Sequence, residues 1–451
     1  MIGLRNRGLI ALLITSVLVY AVMQYIGIGI IPLRSIIRGD GGASVANSDM
    51  LRADVVMAIE GPDIYIALYD PVNDAIMLRT SNDGGSTFRT MMVYNTEGLD
   101  GVRLRGIIAK GSYVNILWSG EIDGQYDIFL SNSSNYALEF STINLSSNEG
   151  DSEYPVIDAS GPTVYVAWVD LTYGNSEILL RVSRDGGLTF SDIVNISDSR
   201  GESEAPTLVA DGSSMYIAWH DNSQGSFAVM FRASHDNGNT FSDPVILSIE
   251  GVDSGFVSMD ADGSNVYMIW MSSAPVGNDD FSIYMRNSYD GGRSFSDAVK
   301  IGKGRSPIVK SDGSLVCIAW ISDNGLRFTS MYGESIRDVK AIPIEGYDLI
   351  KSIILDVEGS DARILLHLVK REGKSSIVYI SSKDSGLTLS SPIIVEEDAI
   401  IDDVSMLSKG RGVYITWSKK ICTDPNCSHV RFSYHLGKSS DGGNKFTKNI
   451  I

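Results

Sequence analysis

The stretch Ser183-Arg184-Asp185-Gly186-Gly187-Leu188-Thr189-Phe190 has five companions that repeat its Ser, Asp, Gly and terminal apolar positions. Their aspartates are Asp83, Asp236, Asp290, Asp384 and Asp441, and the six are 102, 51, 54, 94 and 57 residues apart in chain order. The two double gaps predict decayed copies near residues 131–136 and 331–337, which makes eight units. A second register agrees. Apolar, strand-like runs end at residues 68, 118, 168, 219, 270, 320, 367 and 417, and all six tryptophans of the chain (Trp118, Trp168, Trp219, Trp270, Trp320 and Trp417) fall at this one repeat position. Each unit reads as four short strands of β-branched and aromatic residues, separated by turns of Gly, Asp, Asn and Ser. Four strands at a period near 50 residues define blades of a β-propeller. The fold class is therefore all-β, a β-propeller of about eight four-stranded blades, with seven as the alternative if an end unit is expelled. The repeat body is expected to occupy residues 47–451.

Ahead of the repeats, residues 9–31 form 23 consecutive uncharged, mostly apolar positions. At 1.5 Å per residue they are long enough to cross about 30 Å of hydrocarbon. The nearest small-x-small cleavage pattern, Ser44-Val45-Ala46, lies well beyond the apolar run, so an uncleaved transmembrane helix is expected within an anchor-and-linker region of residues 1–46. The amino group, Arg5 and Arg7 precede the span, whereas Arg34 and Arg38 follow it, a small excess that places the body outside the cytoplasm. Four Asn-x-Ser sites, at Asn132, Asn144, Asn195 and Asn426, fit that compartment. So does a small disulfide between Cys422 and Cys427 across the turn sequence Thr-Asp-Pro-Asn, with Cys317 left in an apolar strand.

The chain has 55 acidic and 37 basic residues, a net charge of −18. That balance excludes a nucleic-acid binder, which needs basic surface to neutralise phosphates. No Gly-rich loop opens a helix, so no nucleotide is expected either.

The octapeptide resembles the Asp box of the bacterial neuraminidase repeat, and from about residue 50 onward the chain resembles the sialidase-like propeller superfamily. The resemblance implies that each box joins the third and fourth strands of its blade. It also implies that Asp83, Asp185, Asp236, Asp290, Asp384 and Asp441 are structural, on the face opposite the family's active site. Sialidases are also similar to one another in an Arg-Ile-Pro motif, three arginines gripping a carboxylate and a Tyr–Glu pair. No Arg-Ile-Pro occurs in this chain.

The opposite face is expected to be built by loops entering each blade and loops joining its second and third strands. Acids dominate those loops, which suits a neutral glycan, a cationic partner or Ca²⁺, a cation that takes carboxylate oxygens. Two loops echo each other, Glu149-Gly150-Asp151-Ser152-Glu153-Tyr154-Pro155 and Arg200-Gly201-Glu202-Ser203-Glu204-Ala205-Pro206. Their carboxylates read either as ligand-binding pairs or as a repeated entry turn whose Pro starts the inner strand. The candidate ligand residues are Arg103, Arg105, Glu149, Asp151, Glu153, Arg200, Glu202, Glu204 and Arg305. The expected function is a membrane-tethered, extracytoplasmic module binding a glycan or a cell-surface protein. The alternative is an exo-sialidase-like glycoside hydrolase, with Arg103, Arg105, Arg200 and Arg305 converging on substrate.

Overall fold

In a computed structural model of the chain, residues 53–273, 281–424 and 429–451 are described, and the expected membrane span and Cys427 lie outside them. Every element among the described residues is a β-strand, and the strands form eight antiparallel sheets. Blade 1 comprises β1 (Val55–Glu60), β2 (Asp63–Asp70), β3 (Ala75–Ser81) and β4 (Arg89–Asn95). Blade 2 has β5 (Asp100–Lys110), β6 (Tyr113–Ile122), β7 (Gln125–Ser133) and β8 (Ser141–Asn144); blade 3 has β9 (Ser152–Ser160), β10 (Thr163–Asp170), β11 (Glu177–Ser183) and β12 (Val194–Asn195). Blade 4 runs β13 (Ser203–Asp211), β14 (Ser214–Asp221), β15 (Ala228–Ser234) and β16 (Val245–Ile246); blade 5 runs β17 (Ser254–Asp262), β18 (Asn265–Ser272), β19 (Ser282–Ser288) and β20 (Val299–Lys303). Blade 6 is β21 (Arg305–Asp312), β22 (Leu315–Ser322), β23 (Gly325–Tyr332) and a fourth strand split into β24 (Ser335–Ile336) and β25 (Lys340–Ile342), both paired with β23. Blade 7 is β26 (Leu349–Glu358), β27 (Asp361–Val369), β28 (Ser375–Ser382) and β29 (Ile393–Ala399), and blade 8 is β30 (Ile401–Lys409), β31 (Gly412–Cys422), β32 (Val430–Ser439) and β33 (Thr447–Ile450). Eight blades replace the seven-blade alternative, because no end unit is expelled.

The second strands are mostly buried and the third strands less completely so, since each sheet packs both faces against its neighbours. All six tryptophans are at most 1% exposed, on the second strand of their blades. First strands lie next to first strands around the ring, and β1 adjoins β30. The ring thus closes without strand exchange. At the seam the Ala53 and Val55 N–H groups donate to Asp402 (3.2 Å) and Asp403 (3.0 Å), the Ser418 hydroxyl donates to the Ala53 carbonyl (2.6 Å), and the Tyr434 hydroxyl donates to the Tyr69 carbonyl. Ala53, Val55, Ile64, Ile66 and Leu68 share one apolar cluster with Tyr434, Leu436 and Ile451.

The octapeptides fill the turns after the third strand. The Asp236 carboxylate accepts the Ser234 hydroxyl (2.9 Å), the Asn239 and Thr240 N–H groups (3.0 and 2.9 Å) and the Thr240 hydroxyl (2.6 Å). These donors hold it at about 2, well below the ordinary 3.8. The same wiring recurs at Asp83, Asp185, Asp290 and Asp384, and at Asp441 without the second hydroxyl, since Lys445 stands where the others have Thr or Ser. The first decayed copy lies two residues later than expected, at residues 133–140. There the Asn135 side-chain carbonyl accepts the Leu138 and Glu139 N–H groups, and Tyr136 and Ala137 take positive φ where the other boxes place glycine or, in two boxes, Asn237 and Ser385 at the first position. In blade 6, Met331 occupies the box Ser position and the octapeptide is replaced by the tight β23–β24 hairpin.

The acidic excess has a structural outlet. Glu60, Asp158, Asp211, Asp260, Asp312 and Glu358 each accept a backbone N–H from the following blade, at Gly111, Ala210, Gly263, Ser311, Gly359 and Gly410 respectively. The Asn132 site is not a surface acceptor, because its side chain is 2% exposed and donates to Asn115 (2.8 Å). Cys422 is disulfide-bonded and Cys317 is a buried free thiol.

Candidate functional site

Loops entering the blades and loops joining second to third strands share the face opposite the octapeptides, as the alternating strand direction requires. The entry loops are shorter than expected, because the first strands start earlier. Pro155 and Pro206 do not open their strands; they sit inside β9 and β13. There the pairs Tyr154-Pro155 and Ala205-Pro206 oppose the single residues Trp168 and Trp219. Phe256-Val257 and Ser306-Pro307 do the same opposite Trp270 and Trp320. This is a β-bulge repeated in four adjacent blades, and a proline fits it because the extra residue owes the ladder no N–H. The first bulge residue is left-handed each time, with φ of 53° at Tyr154, 51° at Ala205, 53° at Phe256 and 51° at Ser306.

A polar and aromatic band lies on the inner rim of blades 1 to 4, beside the bulges of blades 2 to 4. Arg105, the extra residue in the blade 2 bulge, lies over the Tyr154 ring at 5.6 Å and reaches the Ser119 hydroxyl at 3.4 Å. Arg105 is exposed in the structure, and desolvation of its guanidinium lowers its pKa, opposed first by the charge of Asp54. Asp54 is itself buried and accepts the Leu104 N–H at 3.0 Å. Burial, and then the charge of Glu153, push the Tyr154 phenol above its ordinary value, while Arg105 opposes. Glu204 also bears on Tyr154, and its carboxylate stands 3.5 Å from Nε2 of His220. The His220 ring meets Phe227 edge-on at 5.1 Å.

The remaining candidates separate from this band. Asp151 and Glu202 cap the third strand of the preceding blade, accepting the Tyr126 N–H (2.9 Å) and the Ser176 N–H (2.8 Å), and Asp253 does the same for Phe227 (2.9 Å). Glu149 and Arg200 are exposed on the outer loops. Arg305 lies in blade 6, four blades from Arg103 and Arg105 and thus across the ring from them. The four arginines therefore do not meet at one point. Sequence reasoning missed Tyr154, Asp54 and His220 as rim residues. Their only signal was departure from the residue type at the matching position of other blades. Among the described residues, no group of three or more His, Cys, Asp or Glu side chains is gathered as a metal would require.

No family model matches the chain, and no curated protein matches it in sequence. Its likeness is to solved structures and lies in the fold. The polysaccharide lyase Uly1 superposes with a TM-score of 0.52 at 9% identity, covering 77% of this chain and 93% of that one. A polysaccharide lyase of the PL25 ulvan lyase type, bound to -[GlcA(1-4)Rha3S]-, superposes with a TM-score of 0.51 at 9% identity, covering 85% and 91%.

Proposed function

We infer that the chain is a glycan-binding propeller, held at a membrane by residues 9–31 with its body outside the cytoplasm. The observation that carries the glycan reading is the rim band of blades 1 to 4, where Arg105 stacks on Tyr154 between the carboxylates of Asp54, Glu153 and Glu204. An amphipathic ring beside bidentate donors and acceptors is the chemistry that a sugar's hydroxyls and C–H faces engage. A surface meant only for a protein partner needs a larger, less charged centre. The polysaccharide bound by the ulvan lyase of the same fold adds an acidic glycan to the panel worth testing. The test is capture of the full-length chain, in detergent micelles, on a panel of immobilised neutral and acidic glycans. Retention on at least one glycan, competed by the same saccharide free in solution, supports the reading; retention on none sinks it.

One observation favours a second reading, an exo-sialidase-like hydrolase: Tyr154 and Glu153 adjoin, with Arg103 and Arg105 nearby. Two arginines stand there rather than three. Release of fluorophore from a generic sialoside by the wild type, absent in Tyr154→Phe, would establish that reading over simple binding.

A further inference from the structure

Among the described residues, blade 6 is the one blade without an octapeptide turn, and the loss shows in its packing. In every other blade the terminal apolar residue of the octapeptide, from Phe88 in blade 1 to Phe446 in blade 8, joins the apolar cluster shared with the preceding blade. The seat it takes there is fixed by position. Phe295 meets Phe231 of blade 4 edge-on at 4.9 Å, and Phe446 meets Tyr379 of blade 7 at 5.2 Å. Phe231 and Tyr379 each lie three residues before the octapeptide serine of their own blade, Ser234 and Ser382. The matching residue of blade 5 is Met285, three before Ser288. The cluster between blades 5 and 6 holds Met285 and Met331 but no octapeptide residue of blade 6, because the β23–β24 hairpin supplies none.

A cavity of about 560 Å³ opens at this seat, within the range of small-molecule sites, roughly 300–1,000 Å³. Met285 and Met331 form its buried base. Val299 pairs with Met285 and Ile336 pairs with Met331, so each wall residue turns the same way as its methionine, into the interface. Val299, Ile336 and Tyr289 are exposed, which leaves the walls open although the base is covered. The rim is acidic. Glu334, in the hairpin turn, is exposed and makes no ion pair among the described residues. Asp290 stands beside it on the lining, held at about 2 by the Ser294 hydroxyl and N–H. The cations next in sequence are turned away: Arg293 donates to the Asp290 carbonyl at 2.7 Å, and Arg337 donates to the Ser385 carbonyl of blade 7.

We propose that this seat takes an aromatic side chain of another protein, carried on a segment with Lys or Arg beside it. The ring is called for because six of the seven other interfaces hold a phenylalanine at the same place. The flanking cation is called for by Glu334 and Asp290, since opposite charges at a rim set partner choice. The chain cannot fill the seat from its remaining residues, because outside residues 9–31 those beyond the described ones include no Phe, Trp or Tyr. The seat lies among the octapeptide turns, on the face opposite the Arg105–Tyr154 band, and is independent of the glycan reading.

The experiment is selection of a phage-displayed random dodecapeptide library on the full-length chain in detergent micelles, followed by fluorescence polarisation of the best-enriched peptide. Val299→Trp and Ile336→Trp fill the seat from its two walls. Both positions are exposed, so both variants are expected to keep the wild-type melting temperature. The enriched peptides are expected to carry an aromatic residue next to Lys or Arg, and to weaken roughly tenfold to a hundredfold when that residue becomes Ala. Each Trp variant is expected to weaken the same peptide roughly tenfold, and Glu334→Lys to weaken it by a smaller factor that shrinks at high salt. Where a Trp variant loses its melting transition, Glu334→Lys and the Ala-substituted peptide carry the test. Peptides that bind both folded Trp variants as tightly as the wild type overturn the assignment, and so does enrichment without an aromatic residue or no enrichment at all. Acidic flanks in place of basic ones overturn the partner's charge. Self-association in sedimentation velocity that disappears in the Trp variants makes the occupant a second copy and overturns a foreign partner.

Discussion

At the residue scale, the recurrent side chains act through hydrogen bonds that their burial makes costly to lose. The Trp168 indole donates to Asp170 at 3.0 Å, and that carboxylate also accepts the Ser152 hydroxyl, fully out of solvent. The Trp219 indole nitrogen has no partner among the described residues. Trp168→Phe is therefore expected to destabilise the protein more than Trp219→Phe, by about 1–2 kcal/mol in urea unfolding, because only the first strips a donor from a buried charge. Equal costs would mean that the tryptophans act through packing alone. The box aspartates give a pH dependence of definite sign. Asp236, Asp290 and Asp384 are held at about 2 against an ordinary 3.8. Their folded-state values are depressed, so their stabilisation is full above pH 4 and disappears as pH falls toward 2. Melting temperature is expected to drop across that window in the wild type, and to drop less in an Asp236→Asn Asp290→Asn double variant. The structural aspartates were legible as residues because they repeat. The Arg105–Tyr154 pair was not, because it depends on a bulge that shifts one residue of each strand and that no periodicity records.

At the element scale, the bulge opposite Trp168, Trp219, Trp270 and Trp320 is the device that shapes the rim. It was hidden in the sequence because a proline two residues after a carboxylate reads as the start of a strand, whereas the ladder continues past it. Its left-handed first residue costs the chain energy wherever that residue has a side chain. Ala205→Gly relieves a φ of 51° and is expected to raise stability by roughly 0.5–1 kcal/mol, seen as a higher urea midpoint at unchanged slope. A lower midpoint would show that the Ala205 methyl group is needed for packing. Blade 6 teaches the reverse lesson. Its missing octapeptide was anticipated from the double gap between Asp290 and Asp384. The arginine opposite its tryptophan was not, because only strand register sets Arg327 against Trp320.

At the scale of the whole molecule, eight units and their order followed from spacing, but the manner of closure did not. Every blade keeps its own four consecutive strands, and the seam between blades 8 and 1 rests on side-chain hydrogen bonds and one apolar cluster. Because no backbone ladder crosses it, β1 and β33 are expected to exchange amide hydrogens faster than the corresponding strands of blades 3 and 4. Uniform protection around the ring would contradict a weak seam. The net charge of −18 also reads differently in three dimensions. Many of the carboxylates cap backbone N–H groups between and within blades, so the sum of charges does not describe the surface left to solvent. The central claim, a glycan site on that rim, meets its most direct test in the affinity of the full-length chain for its best-retained saccharide, wild type against Arg105→Ala. The account predicts at least a tenfold loss at unchanged melting temperature, since Arg105 contacts the band and little of the core. Undiminished affinity in the variant would contradict it.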